Sequence, residues 1–381
     1  MFQTQQSLPA LLDSSHYTTA AAYERDVTTL RRGSWQLVGC TSMAPDDGDY
    51  FAIDRLGVPI LVRNDGGHYF AFHNVCAHRS CRLASGSGNS AQIKCPYHGW
   101  QYGTDGRTRK IPDAKQFPKF DRESYRLGTF PVRQIGQLLL VHLTEPVEID
   151  SRNDGTTTVG QTISQWNDWL TRRTSKQRWR LVMKRDIDYR CDWKIPIEGS
   201  LESYHLDEVH AGTFGSAPSE ADCEHHLDDA GTVFETSARE SSFLADLEAR
   251  VLRGISGQFD PTYRHLHVFP NLMASLTDSF TLVYQTFPTG LRQSRMTVFG
   301  FARRSERWGW GGRYLAWWLG IAAARLAGRV LDEDAAIFPE VQAGLDAART
   351  PRIFARSEER LYAFQQDWLK RLDERTGETS R

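Results

Sequence analysis

The chain has almost no net charge, few cysteines and no long uninterrupted apolar run, and each of these lacks excludes something. Lys and Arg number 46 against 47 Asp and Glu, leaving −1 at pH 7. No whole-molecule field therefore points to nucleic acid or to an anionic membrane surface. Six cysteines in 381 residues make no disulfide framework and suit a reducing compartment. The stretch from Met1 to Ser15 lacks the basic n-region and the apolar core of a secretion signal. The most apolar segment, Tyr314 to Leu331, is interrupted by Arg325 and Arg329 and falls short of the roughly 20 apolar residues that span a bilayer. A helix that is buried, or that covers a groove, is expected there. The expectation is a cytoplasmic protein with neither a nucleic-acid nor a membrane partner.

What is present is an ordinary globular composition, 40% hydrophobic and 24% charged, in a chain long enough for two domains. A helical lead-in is expected over residues 1–35, its helix at 17–32. Short alternating strands broken by turns follow, among them Phe51–Asp54, Ile60–Arg63, Tyr69–Phe72 and Gln137–Leu143, with Asp65-Gly66-Gly67 and Asp105-Gly106 as hairpin signals. They predict a small all-β domain over 36–146. Residues 148–160 are polar and turn-rich and read as a linker or surface insertion. The remainder, 147–381, predicts helices near 161–175, 198–210 and 332–348. Strands are expected near 179–193, 231–236, 264–274, 279–287 and 296–303. An antiparallel sheet covered by helices fits that order, so the fold class is α+β.

Two short clips sit in the small domain: Cys76-Ala77-His78 and Cys95-Pro96-Tyr97-His98. Each offers one thiolate and one imidazole. A Rieske [2Fe–2S] cluster needs two Cys on one iron and two His on the other, and Cys76, His78, Cys95 and His98 supply that split. A tetrahedral Cys2His2 zinc site uses the same residue types, although zinc modules usually pair like with like. Cys81 is read as a small buried residue or, alternatively, as a further redox-active thiol.

The second constellation is Asp192-Trp193-Lys194, then Glu198, Glu202, His205 and His210. The two histidines are spaced i,i+5, about 140° apart on a regular helix, so they converge only if the helix is distorted or ends before His210. With a carboxylate they would form the two-His-one-carboxylate triad that holds non-haem Fe(II) with open positions. Candidates lie in Leu331-Asp332-Glu333-Asp334, at the expected start of a helix, where acidic residues are also favoured by the helix dipole. Four tryptophans, Trp308, Trp310, Trp317 and Trp318, read as core packing or as an aromatic cage for a quaternary nitrogen.

The segments Asn74–Arg79 and Lys94–Tyr102 resemble the cluster motif of the Rieske non-haem iron oxygenases, and the resemblance extends over nearly the whole chain. The stretch from Trp193 to His210 and the later Glu333-Asp334…Gln342-Ala343-Gly344-Leu345 resemble the catalytic part of the terminal oxygenase alpha subunits in the aromatic ring-hydroxylating family. The resemblance implies that His205, His210 and Asp334 bind a mononuclear non-haem Fe(II), with Asp332 in reserve. It implies that Glu202 bridges a cluster histidine of one subunit to an iron histidine of its neighbour. Four positions depart: Ser80 stands where Gly is usual, Cys81 follows it, Asp192 replaces an Asn before Trp193, and Gly199 replaces an Asn after Glu198. Ring cis-dihydroxylation is weakened by the last of these.

The function so implied is that of a terminal oxygenase, with O2 as co-substrate. Electrons would come from NAD(P)H through a partner reductase and possibly a ferredoxin. The substrate would be a small, aromatic molecule; hydroxylation or oxidative N-demethylation of a small quaternary amine is the alternative. A head-to-tail homotrimer is implied. The basic stretch Arg172–Lys184 reads as a solvated face or, alternatively, as a docking patch for an acidic electron donor. A bare electron carrier or a non-catalytic homologue is the reading of a different class.

Overall fold

The computed structural model describes residues 2, 4, 6–144, 162–213, 217–237 and 243–378, and the stretch 148–160 lies outside them. The chain divides into two compact units, one of Arg31–Thr157 and one formed by Met1–Leu30 together with Thr158–Arg381. The lead-in over 1–35 thus does not stand apart. Leu8–Pro9 pairs antiparallel with Ile353–Phe354, and helix α1 (Ala20–Gly33) buries Val27 and Leu30. The Tyr17 hydroxyl donates to the Glu198 carboxylate and accepts from Arg352 at 2.7 Å. Asp26 on α1 accepts from the Trp193 indole at 2.9 Å and pairs with the fully buried Lys194. These buried polar groups find partners around 192–198, at 352 and at Gln365, whose amide donates to the Tyr17 hydroxyl at 3.1 Å, which is why the segment groups there.

The smaller unit is all-β. Its strands are β1 (Trp35–Cys40), β2 (Asp49–Arg55), β3 (Val58–Asp65), β4 (His68–His73), β5 (Ser87–Asn89), β6 (Ile93–Lys94), β7 (Gln101–Tyr102), β8 (Thr108–Lys110), β9 (Thr129–Phe130), β10 (Val132–Ile135) and β11 (Leu138–His142). They form three antiparallel sheets ordered β9-β4-β3-β2-β5, β10-β11-β1 and β6-β7-β8. The β3–β4 turn places Gly66 and Gly67 at φ of +60° and +88°, the left-handed conformations that a two-residue hairpin loop requires. One clip follows β4 and is closed by a bridge from Val75 to Arg82; the other is the loop between β6 and β7. Leu61, Phe72, Ile93, Trp100 and Leu127 form the apolar base beneath both.

The larger unit is built on one seven-stranded antiparallel sheet. Its strands are β12 (Trp179–Tyr189), β13 (Cys223–Asp228), β14 (Gly231–Thr236), β15 (Tyr263–Val268), β16 (Leu272–Leu276), β17 (Phe280–Gly290) and β18 (Gln293–Arg303), ordered β12-β18-β17-β16-β15-β14-β13. Helices are α2 (Thr162–Thr174), α3 (Lys194–Ser200), α4 (Leu206–Val209), α5 (Phe243–Ser256), α6 (Gly309–Ala347) and α7 (Glu359–Glu378).

Several expectations are corrected here. The helix expected at 198–210 is two pieces, α3 and the single turn α4, with a turn between them. The strand at 264–274 is two strands, β15 and β16. The strand from 179 ends at Tyr189. The helix at 332–348 is the last part of the 39-residue α6, so Asp334 is in a helix interior and no N-terminal dipole accounts for it. Trp308, Trp310, Trp317 and Trp318 are 60, 80, 40 and 46% exposed, which overturns core packing. In the basic stretch, Arg173 turns inward to Asp260 and Asp278, at 3.5 and 3.3 Å. Cys81 is half-buried rather than buried.

Candidate metal centres

The first clip is held by the side chain of Asn74, buried and fully engaged. Its Oδ1 accepts from the N–H groups of Leu83 and Ala84, both at 3.1 Å, and its Nδ2 donates to the Ala84 carbonyl at 2.8 Å. The chain therefore returns beside itself and presents Cys76 and His78. Cys76 and Cys95 are 2 and 1% exposed, while His98 is exposed and His78 half-buried. The His78 and His98 rings lie 4.7 Å apart between centroids, and His78 stacks on Trp100 at 4.8 Å with 4° between planes.

Electrostatics separates the two thiols. Burial pushes the Cys76 thiol up, against the Tyr102 hydroxyl 3.0 Å from its sulfur. Burial raises Cys95 too, but the backbone N–H groups of Tyr97 and His98 outweigh it and the thiol is lowered. Donors aimed at sulfur favour thiolate and tune a cluster bound there. The Nδ1 of His78 is buried with no hydrogen-bond partner among the described residues, as a ring nitrogen that takes a metal would be.

The second centre rests on the turn after α3. His205 caps the start of α4 and His210 caps its end, so the i,i+5 spacing never has to be met on a regular helix. Glu202 shapes the turn: its carboxylate accepts the N–H of His205 at 3.1 Å and that of Tyr204. It also hydrogen-bonds Nδ1 of His205. On the other ring, Nδ1 of His210 lies 2.7 Å from Glu333. With both Nδ1 atoms held by carboxylates, both Nε2 atoms turn to Asp334, at 3.6 Å from His205 and 3.0 Å from His210.

Ligand atoms of His205, His210 and Asp334 all lie within 4.8 Å of one another, and among the described residues no other group of three or more His, Cys, Asp or Glu does this. The two clips therefore do not converge on one point, as a tetrahedral zinc site would require. Asp332 points elsewhere, to Arg185. Asp334 holds its position by periodicity. Leu319, Ala323, Ala327, Val330, Asp334 and Phe338 recur at intervals of three and four along α6 and line one cavity.

That cavity has a volume of about 600 Å³. Opposite α6 it is walled by alternate residues of the sheet: Tyr263 and His265 of β15, Ser275 of β16, and Phe280, Leu282 and Tyr284 of β17. The four exposed tryptophans are not among its lining residues, so they form no cage in it. Glu333 was not singled out from sequence. Its adjacency to Asp334 was the available signal, since a metal-binding histidine usually gives its second N–H to a carboxylate. Gly199 also has its explanation: a Cβ there would sit 2.8 Å from Cε1 of Phe338, so Phe338 occupies the space a larger residue would need.

Family models match both units of the chain. Residues 176–374 match the model of the ring hydroxylating alpha subunit (catalytic domain), and residues 34–126 match that of the Rieske [2Fe-2S] domain. The chain belongs to the ring-hydroxylating alpha-subunit family. A Rieske cluster and a mononuclear non-haem iron are that family's cofactors. Chloroplastic choline monooxygenase of Beta vulgaris is 29% identical over 199 residues, 52% of this chain and 44% of the relative. The glycine betaine monooxygenase oxygenase subunit of Pseudomonas aeruginosa is 29% identical over 202 residues, with the same shares. The match thus spans under half the length of these relatives. The quaternary ammonium Rieske monooxygenase CntA in complex with L-carnitine superposes with a TM-score of 0.71 at 19% identity, covering 96% of this chain and 95% of that one. Naphthalene 1,2-dioxygenase from Rhodococcus sp. gives 0.68 at 17%, covering 96 and 94%. No helix among the described residues is long and apolar enough to cross a membrane.

Proposed function

We propose that the chain is a terminal oxygenase component that hydroxylates a small organic molecule in the cavity above His205, His210 and Asp334. The observation that carries this reading is the convergence of those three ligand atoms on the wall of a cavity of about 600 Å³. Cys76, His78, Cys95 and His98 would hold the cluster, and His205, His210 and Asp334 the iron. When bound, the cluster supplies electrons and the iron activates O2.

The chain's own part is to bind, orient and exclude water. Glu202 and Glu333 keep a proton on Nδ1 of His205 and His210, leaving each Nε2 lone pair free for the metal. Leu282, Leu319, Phe280 and Phe338 present apolar surface to the substrate. Glu202 also carries the proposed bridge to a neighbouring subunit in a homotrimer. A reductase, with or without a ferredoxin, and a reducing compartment such as the cytoplasm belong to the same reading.

A small aromatic substrate fits this lining. A quaternary amine is the second reading, favoured by the choline and glycine betaine monooxygenases among the relatives. Asp260 and Asp278 line the cavity, but they are already paired with Arg173, Arg264 and Arg303. An ammonium group would therefore rest on the faces of Phe259, Phe280 or Tyr263. The test is O2 and NADH consumption with a surrogate reductase, across aromatic acids, choline, glycine betaine and carnitine. Consumption coupled to a hydroxylated product is expected from one class. Iron-loaded, reducible protein that turns over neither class would overturn the reading.

A further inference from the structure

The wall of the cavity opposite α6 contains a polar chain that the metal centres do not use. It begins at Arg360 on α7, 2% exposed. Its Nε donates to the Thr232 hydroxyl at 2.9 Å, and its Nη2 lies 2.9 Å from Nδ1 of His265 and 3.1 Å from the His265 carbonyl. A guanidinium only donates, so Nδ1 of His265 is the acceptor and the ring proton sits on Nε2. Burial and the Arg360 charge together push the His265 imidazole well below its usual range, so the ring stays neutral and the tautomer stays fixed.

Nε2 of His265 lies 2.7 Å from the Tyr284 hydroxyl. The Tyr284 oxygen must therefore accept, and its own O–H remains free to donate. Burial raises this phenol, so it keeps that proton. His265 holds it at 2.7 Å; the Ser200 and Ser275 hydroxyls also interact with it, but Ser200 gives its own proton to the Pro196 carbonyl at 2.8 Å and Ser275 receives the Tyr263 hydroxyl at 3.2 Å. Tyr284 lines the cavity, and the charge of Asp334 bears on its hydroxyl. A phenol O–H aimed from a cavity wall, with only these two serine hydroxyls beside it, gains from a ligand oxygen that accepts it directly.

We infer that Tyr284 determines specificity: its hydroxyl, aimed by His265 and Arg360, donates a hydrogen bond to a carbonyl or carboxylate oxygen of the substrate. This rests on reading the cavity as the substrate site. The ligand class is an apolar body bearing such an oxygen, placed so that the body faces the His205–His210–Asp334 wall.

The probes are acetophenone, benzoate and α-methylstyrene, which share one shape while the last lacks the oxygen. Calorimetry on the full-length protein should show acetophenone or benzoate binding about tenfold more tightly than α-methylstyrene. Tyr284→Phe should erase that preference and leave α-methylstyrene unchanged. The stronger of the two oxygen-bearing probes tells ketone from carboxylate. A second readout needs no variant: the carbonyl stretch of bound acetophenone should shift to lower wavenumber than in a hydrocarbon solvent. His265→Phe, which releases the hydroxyl to turn, should shrink the shift. Equal affinities for all three probes with an unshifted carbonyl would overturn the inference. The oxygenase reading is judged separately, by O2 consumption.

Discussion

Nε2 of His210 lies 3.0 Å from the carboxylate of Asp334, and the residue before Asp334 reaches the opposite edge of the same ring. Two adjacent residues on α6 thus orient one imidazole from both sides. Asp332, one residue further back, shares neither contact and pairs instead with Arg185, both side chains well exposed. Asp334→Ala should abolish the mononuclear iron and leave the cluster intact. Asp332→Ala should keep both and cost at most about 1 kcal/mol in stability, as exposed pairs do. Iron analysis and thermal unfolding of the two variants check this.

Metal affinity should rise with pH. In the metal-free chain the Asp334 hydrogen bond, assisted by Glu333, raises His210. Burial lowers His205, but Glu202 and Asp334 outweigh it and that ring is raised as well. A raised imidazole stabilises the metal-free fold fully below its ordinary value of 6.5, and this stabilisation is lost as pH rises through the folded value. Metal must displace the same protons. Co(II) titrations of metal-free protein should therefore tighten from about pH 6 to about pH 8, with proton release; a flat profile would contradict the arrangement.

Glu202→Gln keeps the length of the side chain but removes the charge that orients His205. Loss of such a supporting carboxylate typically costs about 10- to 100-fold in metal affinity or activity. The expected variant is folded and retains its cluster spectrum, with turnover and the rate of cluster reoxidation by O2 reduced by that order. Unchanged reoxidation would remove Glu202 from the electron path.

Gly199 and Phe338 should behave as a pair. Gly199→Asn forces a side chain into the Phe338 ring, and overpacking of this kind costs about 1–3 kcal/mol. Phe338→Ala alone should also destabilise by leaving a cavity. The double variant should be less destabilised than the sum of the two, a coupling that thermal melts of all four proteins would reveal.

Ser80 sits at φ +56°, in the left-handed region, at the position where the resembling family usually has glycine. Ser80→Gly should relieve the strain and stabilise the cluster-loaded protein by about 0.5–1 kcal/mol. Anaerobic thermal unfolding, followed through the cluster absorbance, is the measurement.

Short-range chemistry was legible in the sequence, and long-range packing was not. The clips, the hairpin glycines and the order of strands are local patterns, readable from spacing and alternation. The end of α4 before His210 was foreshadowed, because the i,i+5 spacing demanded a departure from a regular helix. The run from Gly309 to Ala347 reads as two segments because the tryptophan-rich half and the acidic half differ in composition, yet one helix carries both. The tryptophans were misplaced for a related reason: aromatic clustering signals burial only when the opposite face is polar. His265, Tyr284 and Arg360 were invisible because each acquires its role from a partner far along the chain.

The central claim is that the chain holds two different iron centres. Iron analysis with EPR of the anaerobically purified protein, before and after dithionite, tests it most directly. The account predicts about three irons per chain, two in the cluster and one mononuclear, with a Rieske signal on reduction, and loss of one iron but not the signal in Asp334→Ala. A colourless, zinc-containing protein with no EPR signal after reduction would contradict it.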